Sequence, residues 1–214
     1  MDTRSTGIIL RTRPLTETSL IVHWLTPDLG RIATVAKGAR RPKSPFRGKL
    51  DLFYECEFSF ARSRRSELHT LREATLRGTH SALRKDLGWL EQASYAAALV
   101  EQTTETETPL DGFYELFSEF LAALTAHPPQ AQTVFAFELK LLRILGQLPD
   151  TVSSRLTIGS RNILEKLCDM VWPEQSRLKP SQPQLRELRE FLHGFLIQQL
   201  GRVPRGRNTA LSDS

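Results

Sequence analysis

Between residues 31 and 49 the sequence places seven cations, Arg31, Lys37, Arg40, Arg41, Lys43, Arg47 and Lys49, and no carboxylate. A phosphate backbone rewards such a cluster through counterion release. Gly38, Pro42, Pro45 and Gly48 fall within the same run and predict a loop whose backbone can approach a ligand closely. Phe46 inside the run, with His23 and Trp24 on a preceding strand, could stack on unpaired bases. A basic run is also compatible with a solvated loop, or with an adaptor that grips an acidic protein.

Other chemistry finds less support. Asp51, Glu55 and Glu57 share one face of a strand and could hold a nuclease metal, but solvent-facing carboxylates usually serve solubility alone. None of the five histidines, His23, His69, His80, His127 and His193, stands at His-x-x-x-His spacing, and no Ser or Cys nucleophile motif accompanies them. Lys37-Gly38 and Gly48-Lys49 do not complete a nucleotide phosphate loop. Cys56 and Cys168 are too few for a four-ligand zinc site and read as small buried residues. No catalytic residue, metal or cofactor is therefore expected. The acidic series Glu101, Glu105, Glu107, Asp111, Glu115 and Glu119, free of basic residues, reads as a solvated face or as a surface for a basic partner.

The elements that must carry these residues follow from periodicity. Short β-branched or aromatic runs at 7–13, 19–26 and 31–36 predict three strands, with a tight turn at Pro27-Asp28-Leu29-Gly30. Over 50–61, Leu50, Leu52, Tyr54, Cys56, Phe58 and Phe60 alternate with mostly polar residues, which predicts a longer strand whose polar face Phe53 alone interrupts. A fifth strand is expected over 67–77. Five strands in so few residues suit a small closed or partly closed barrel.

From residue 81 the period changes to that of helices. Helices are expected from Ser81 to about Thr103, after Pro109, from about Pro129 to Leu145, over 160–171 and over 183–200, with a loop over 150–159. The expected stripes include Leu83, Leu87, Leu90, Ala97 and Val100 in the first, and Phe137, Leu141, Ile144 and Leu148 in the third. The fold class is thus α+β with separate domains: a five-stranded barrel over 1–79, an all-α domain over 80–201, and a basic mobile tail over 202–214. Charge follows the same division, with 15 Lys/Arg against 8 Asp/Glu through His80 and 14 against 16 beyond it. One domain is expected to meet a polyanion. The absence of a long apolar run or of an apolar leader predicts a cytoplasmic protein without a membrane partner.

The runs Gly7-Ile8-Ile9-Leu10-Arg11-Thr12-Arg13-Pro14, Glu17-Thr18-Ser19-Leu20 and Val35-Ala36-Lys37-Gly38-Ala39-Arg40-Arg41, with Thr26, Gly30, Arg31, Gly48-Lys49-Leu50 and Phe53, resemble the N-terminal signature of the RecO family of recombination mediators. Phe137-Glu138-Leu139-Lys140-Leu141-Leu142, Leu145-Gly146 and Leu200-Gly201 are similar to its helical domain. The resemblance implies an N-terminal OB-fold and a non-catalytic role in recombinational repair through the RecF pathway. It further implies binding to single- and double-stranded DNA, strand annealing, and recombinase loading on coated strands. The implied partners are RecR and the acidic C-terminal tail of single-stranded DNA-binding protein, for which a groove beside Lys140 and Arg143 would offer cations. Lys37, Arg40 and Arg41 match the family motif as phosphate contacts, extended by Lys43, Arg47 and Lys49. Many relatives hold zinc with four cysteines, where this chain has Thr151-Val152-Ser153-Ser154, so zinc is not expected.

Overall fold

The computed structural model describes residues 2–150, 155–175 and 177–212. Strands β1 (Asp2–Pro14), β2 (Leu20–Thr26), β3 (Gly30–Ala36), β4 (Glu55–Ala61) and β5 (Leu68–Gly78) close a barrel in the order β1-β2-β3-β5-β4. The first strand is long enough to serve two neighbours. Its early half pairs with β4, from Asp2↔Ala61 to Ile8↔Glu55, and its later half with β2, from Ile8↔Leu25 to Pro14↔Leu20, with a register shift between Ile9 and Arg11. A short parallel pairing of β3 with β5, Ala33↔Leu68 to Val35↔Thr70, completes the closure. This is the strand order of the OB-fold.

Alternation decides what lies inside. Ile9, Val22, Trp24, Ile32, Phe58 and Phe60 are buried in one core, and Trp24 stacks on Phe58 with ring centroids 4.1 Å apart. The expected strand over 50–61 is shorter than its apolar alternation suggested. Residues 51–54 form a turn in which Phe53 adopts φ 63° and is buried, while its amide donates to Ile9 O at 2.8 Å. Phe53 therefore does not interrupt a strand face, because the strand has not yet begun.

The chain divides into two compact units, Met1–Ser81 with Val100–Glu115, and Ala82–Leu99 with Leu116–Ser214. The boundary expected at residue 80 is thus incomplete, since a later segment returns to the barrel. There the Glu107 amide donates to Arg31 O at 2.7 Å, and Thr106 forms an isolated parallel bridge with Arg31. Gly30, at φ 68°, lies so close that a Cβ would stand 2.2 Å from Thr108 O. Glu107 pairs with Arg62 at 3.3 Å and with buried His69, while Glu101 pairs with Arg11 at 3.3 Å. Two members of the acidic series are therefore bound to the barrel rather than spread on one solvated face.

The second unit takes helices α1 (Leu87–Thr103, in part), α2 (Phe113–Leu124, in part), α3 (Ala131–Ile144), α4 (Ile158–Asp169), α5 (Trp172–Gln175), α6 (Gln182–Leu200) and α7 (Arg207–Ala210), after a short 3-10 helix at Ser81–Lys85. Helix α3 is buried nearly all round, with Val134, Phe135, Phe137 and Leu141 inside on different sides. A Ser181–Gln184 capping box starts α6, and Gly201 in the left-handed region ends it. Leu87, Ile144 and Leu148, expected in apolar stripes, are instead exposed. Residues 151–154 lie outside the described residues, as does the middle of the expected loop over 150–159. Among the described residues no helix is long and apolar enough to cross a membrane.

The burial of α3 on most of its sides creates one electrostatic demand. Glu138 is 0% exposed, and an isolated buried carboxylate is costly. Arg207, from the segment expected to be a mobile tail, answers it with a bidentate pair, Nε to Oε1 at 2.6 Å and Nη2 to Oε2 at 3.0 Å. The Tyr95 hydroxyl donates to the same Oε1 at 2.6 Å; burial, with Glu138 beside it, holds that hydroxyl well above its ordinary pKa. Ala210 and Leu211 are buried with Arg207, so this stretch is part of the core. Replacing Arg207 by Ala should therefore cost about 3–5 kcal/mol of stability in urea unfolding, because it strands Glu138. A loss below 1 kcal/mol would place the pair outside the folded core.

Candidate nucleic-acid interface

The connection from β3 to β4 is a chain of tight turns. Ala39 N donates to Ala36 O at 3.3 Å, Arg41 N to Gly38 O at 3.0 Å, Ser44 N to Arg41 O at 3.0 Å, Arg47 N to Ser44 O at 3.2 Å and Lys49 N to Phe46 O at 3.1 Å. Gly38 at φ 69° and Gly48 at φ 72° supply conformations that other residues rarely adopt. The neighbouring β1–β2 turn braces the start of the loop, because Arg40 N donates to Thr18 O at 3.0 Å. At the centre Phe46 enters the barrel core and is 6% exposed.

The cations point the other way. Lys37, Arg40, Arg41, Lys43 and Arg47 are exposed, and Lys49 is half-buried. Arg40 and Arg47 reach back to Thr16 O at 3.4 Å and Pro42 O at 3.3 Å. Arg40, Arg41, Pro42, Arg47 and Gly48 rim a concavity of about 350 Å³ floored by Leu20, Ala39, Phe46 and Leu50.

Of the residues expected in this site, two are elsewhere and a third, Phe46, is mostly covered. Arg31 lies at the opposite end of β3 from Lys37 and donates to Thr104 Oγ1 at 2.7 Å and Thr104 O at 2.6 Å, so it fastens the returning segment. Trp24 is 0% exposed and its indole N–H donates to Thr34 Oγ1 at 2.9 Å, which leaves no ring face for a base. Phe46 is likewise turned inward. Trp24 builds the barrel because the two-residue period of β2 placed it on the inner side, and Phe46 joins it because the turns around it direct its ring into the core. His23 is half-buried; burial first, then Arg11, Arg13 and Arg31, lower its pKa to about 4, so it is neutral near pH 7.

The β4–β5 turn carries exposed Arg64 and Arg65, whose signal was three arginines in four residues, toward the Arg31 end of β3 rather than beside Lys37. An OB-fold commonly presents this turn and the β1–β2 turn to its ligand. The other candidates are engaged locally. Asp51 Oδ1 accepts from Leu52 N at 2.8 Å, Glu55 accepts from the Tyr114 hydroxyl at 2.9 Å, and Glu57 pairs with Arg77. No metal-holding cluster of His, Cys, Asp or Glu is found among the described residues. Both cysteines are buried, and burial pushes the Cys56 thiol up to about 11.

In the helical unit Lys140 Nζ donates to Cys168 O at 3.4 Å and lies 5.4 Å from the Trp172 ring centroid. Burial lowers its pKa. Arg143 pairs with Asp169 at 2.5 Å beside a concavity that Leu148, Pro149, Leu164 and Cys168 also line.

Two family models match the chain, Recombination protein O N terminal over residues 1–80 and Recombination protein O C terminal over residues 84–158. The DNA repair protein RecO of Rhodopirellula baltica is 35% identical over 156 residues, covering 73% of this chain and 57% of that protein. That of Anaeromyxobacter sp. is 34% identical over 144 residues, 67% of this chain and 57% of the relative. That of Bacillus subtilis is 28% identical over 210 residues, 95% and 82% of the two chains. The match thus spans little more than half the length of the first two relatives.

The inward placement of Trp24 has a measurable consequence. Trp24→Phe should lower stability by about 1–3 kcal/mol, because it leaves the buried Thr34 hydroxyl without its donor, while affinity for single-stranded DNA stays unchanged. Loss of DNA affinity in a variant that melts like wild type would return Trp24 to the binding surface.

Proposed function

Because the chain belongs to the recombination protein O family, we propose that it acts in recombinational DNA repair as a non-catalytic protein that holds nucleic-acid backbone. The observation that carries this reading is the exposure of Lys37, Arg40, Arg41, Lys43 and Arg47 on one ordered loop without a carboxylate. Such a loop offers several phosphate contacts at once, and each contact releases counterions whatever the base sequence. Lys49 adds a half-buried charge at the loop exit. Single and double strands both present the required phosphates.

Annealing needs no catalytic group. Positive charge reduces the repulsion between two strands, and bases that the protein does not cover remain free to pair. In this reading the protein works at the nucleoid with RecR and helps a recombinase load on strands coated by single-stranded DNA-binding protein. The acidic tail of that protein would meet Lys140 and Arg143, the latter on the edge of a hollow lined by Leu148, Pro149 and Leu164 together with Glu165 and Asp169. The Asp169 carboxylate that now holds Arg143 would be exchanged for the tail's own.

The test is a titration with labelled single-stranded DNA over a range of salt. Replacing Arg40, Arg41 and Lys43 together by Ala should weaken binding across all sequences and reduce the salt slope by about 0.7–0.9 per lost phosphate contact. An unaltered slope would remove the loop from the interface. Absence of any binding at low salt would favour an adaptor that grips an acidic protein.

A further inference from the structure

We infer that the concavity inside the basic loop is a subsite for a single unpaired nucleotide, its base against the floor formed by Leu20, Ala39 and Leu50 and its phosphates on Arg40, Arg41 and Arg47. The inference rests on the nucleic-acid reading above and adds to it a place for a base, which a backbone grip alone does not require.

Volume, chemistry and hydrogen bonding all bear on the assignment. At about 350 Å³ the hollow lies at the small end of ligand pockets, which run from roughly 300 to 1,000 Å³. Its floor is apolar, with Leu20, Ala39 and Leu50 half-buried against the barrel core and the nearly buried Phe46 also lining it, whereas a site for phosphate alone needs no apolar surface. The rim carries three guanidinium groups and no carboxylate. Guanidinium planes both pair with phosphate oxygens and stack on bases.

A peptide fits these observations less well. The amides of Ala39, Arg40, Arg41, Ser44, Arg47 and Lys49 already donate within the protein. The rim therefore has few main-chain donors left to bind a peptide strand or a terminal carboxylate, and recognition falls to side chains. With Trp24 enclosed in the core and Phe46 showing only 6% of its surface, the apolar floor between the arginines, mostly Leu20, Ala39 and Leu50, is what a base meets in this loop. Duplex DNA keeps its bases stacked and gains nothing from such a hollow, so the subsite favours single strands.

The experiment compares, at fixed salt, an oligothymidylate, an abasic sugar-phosphate oligomer of equal length, and a duplex, each titrated into the full chain. Wild type should bind the oligothymidylate at least about fivefold more tightly than the abasic oligomer, the lower end of what one stacked base supplies. Leu50→Ser, which keeps every charge, should remove most of that ratio and leave abasic and duplex affinities unchanged. Equal binding of the oligothymidylate and the abasic oligomer by wild type overturns the subsite even if the variant fails to fold. Displacement of the oligothymidylate from wild type, but not from Leu50→Ser, by an acidic peptide with apolar side chains would assign the hollow to a peptide and also overturn it. If no nucleic acid binds at low salt, the underlying reading fails and not merely the subsite.

Discussion

Burial of the Phe46 ring beneath the basic loop is the constraint on which the arrangement of the site depends. Six cations between Lys37 and Lys49 would drive an unanchored loop apart, but the magnitudes favour order. Two like charges repel in water by only about 1 kcal/mol at 4 Å, and salt reduces this further. Complete burial of a phenylalanine side chain is worth about 1.5–3 kcal/mol, and the successive turns around it add their own hydrogen bonds. With the ring held in the core and the cations outside, a charge cluster becomes a fixed array. The like charges then cost little in the free protein and are available together for a polyanion.

The same separation of buried anchor from exposed charge recurs along the chain, with different results. Arg31 belongs by sequence to the basic run, yet its guanidinium fastens residues 104–107 against the start of β3. Glu101 and Glu107, which could have repelled a nucleic acid at large, are spent on Arg11, Arg62 and His69. In the helical unit, a carboxylate that α3 cannot leave in solvent draws Arg207 and α7 into the core. Formal charge therefore says little about which side chains are free to meet a ligand; burial and partnership decide that.

The barrel was legible because a strand with one buried face writes its period into the residue types: Cys56, Phe58 and Phe60 alternate with Glu57 and Ser59, and the turn at Gly30 has no other plausible occupant. Extending that pattern back to Leu50 went too far, since alternation does not reveal the left-handed turn at Phe53. The exposed cations from Lys37 to Arg47 were also readable, as charge on a Gly- and Pro-rich loop. Aromatic residues misled, because Trp24 and Phe46 have the composition of a stacking platform while their strand register and loop anchoring turn them inward. The returning segment and the Arg207–Glu138 pair had no local signature. Each joins residues about 70 positions apart, a distance at which neither periodicity nor propensity carries information. Glu138 carries no mark in the sequence that sets it apart from a solvated helix position, and only the burial of α3 on most of its sides changes its meaning.

Hydrogen exchange at the amides of Arg41, Ser44, Arg47 and Lys49, followed with and without single-stranded DNA, tests the central claim most directly. An anchored basic array requires these amides to be protected in the free protein, through the turns around Phe46, and to gain protection when DNA occupies the loop. Exchange at the rate of an unstructured chain in the free protein, or protection that DNA leaves unchanged at a concentration where it is bound, would contradict the account.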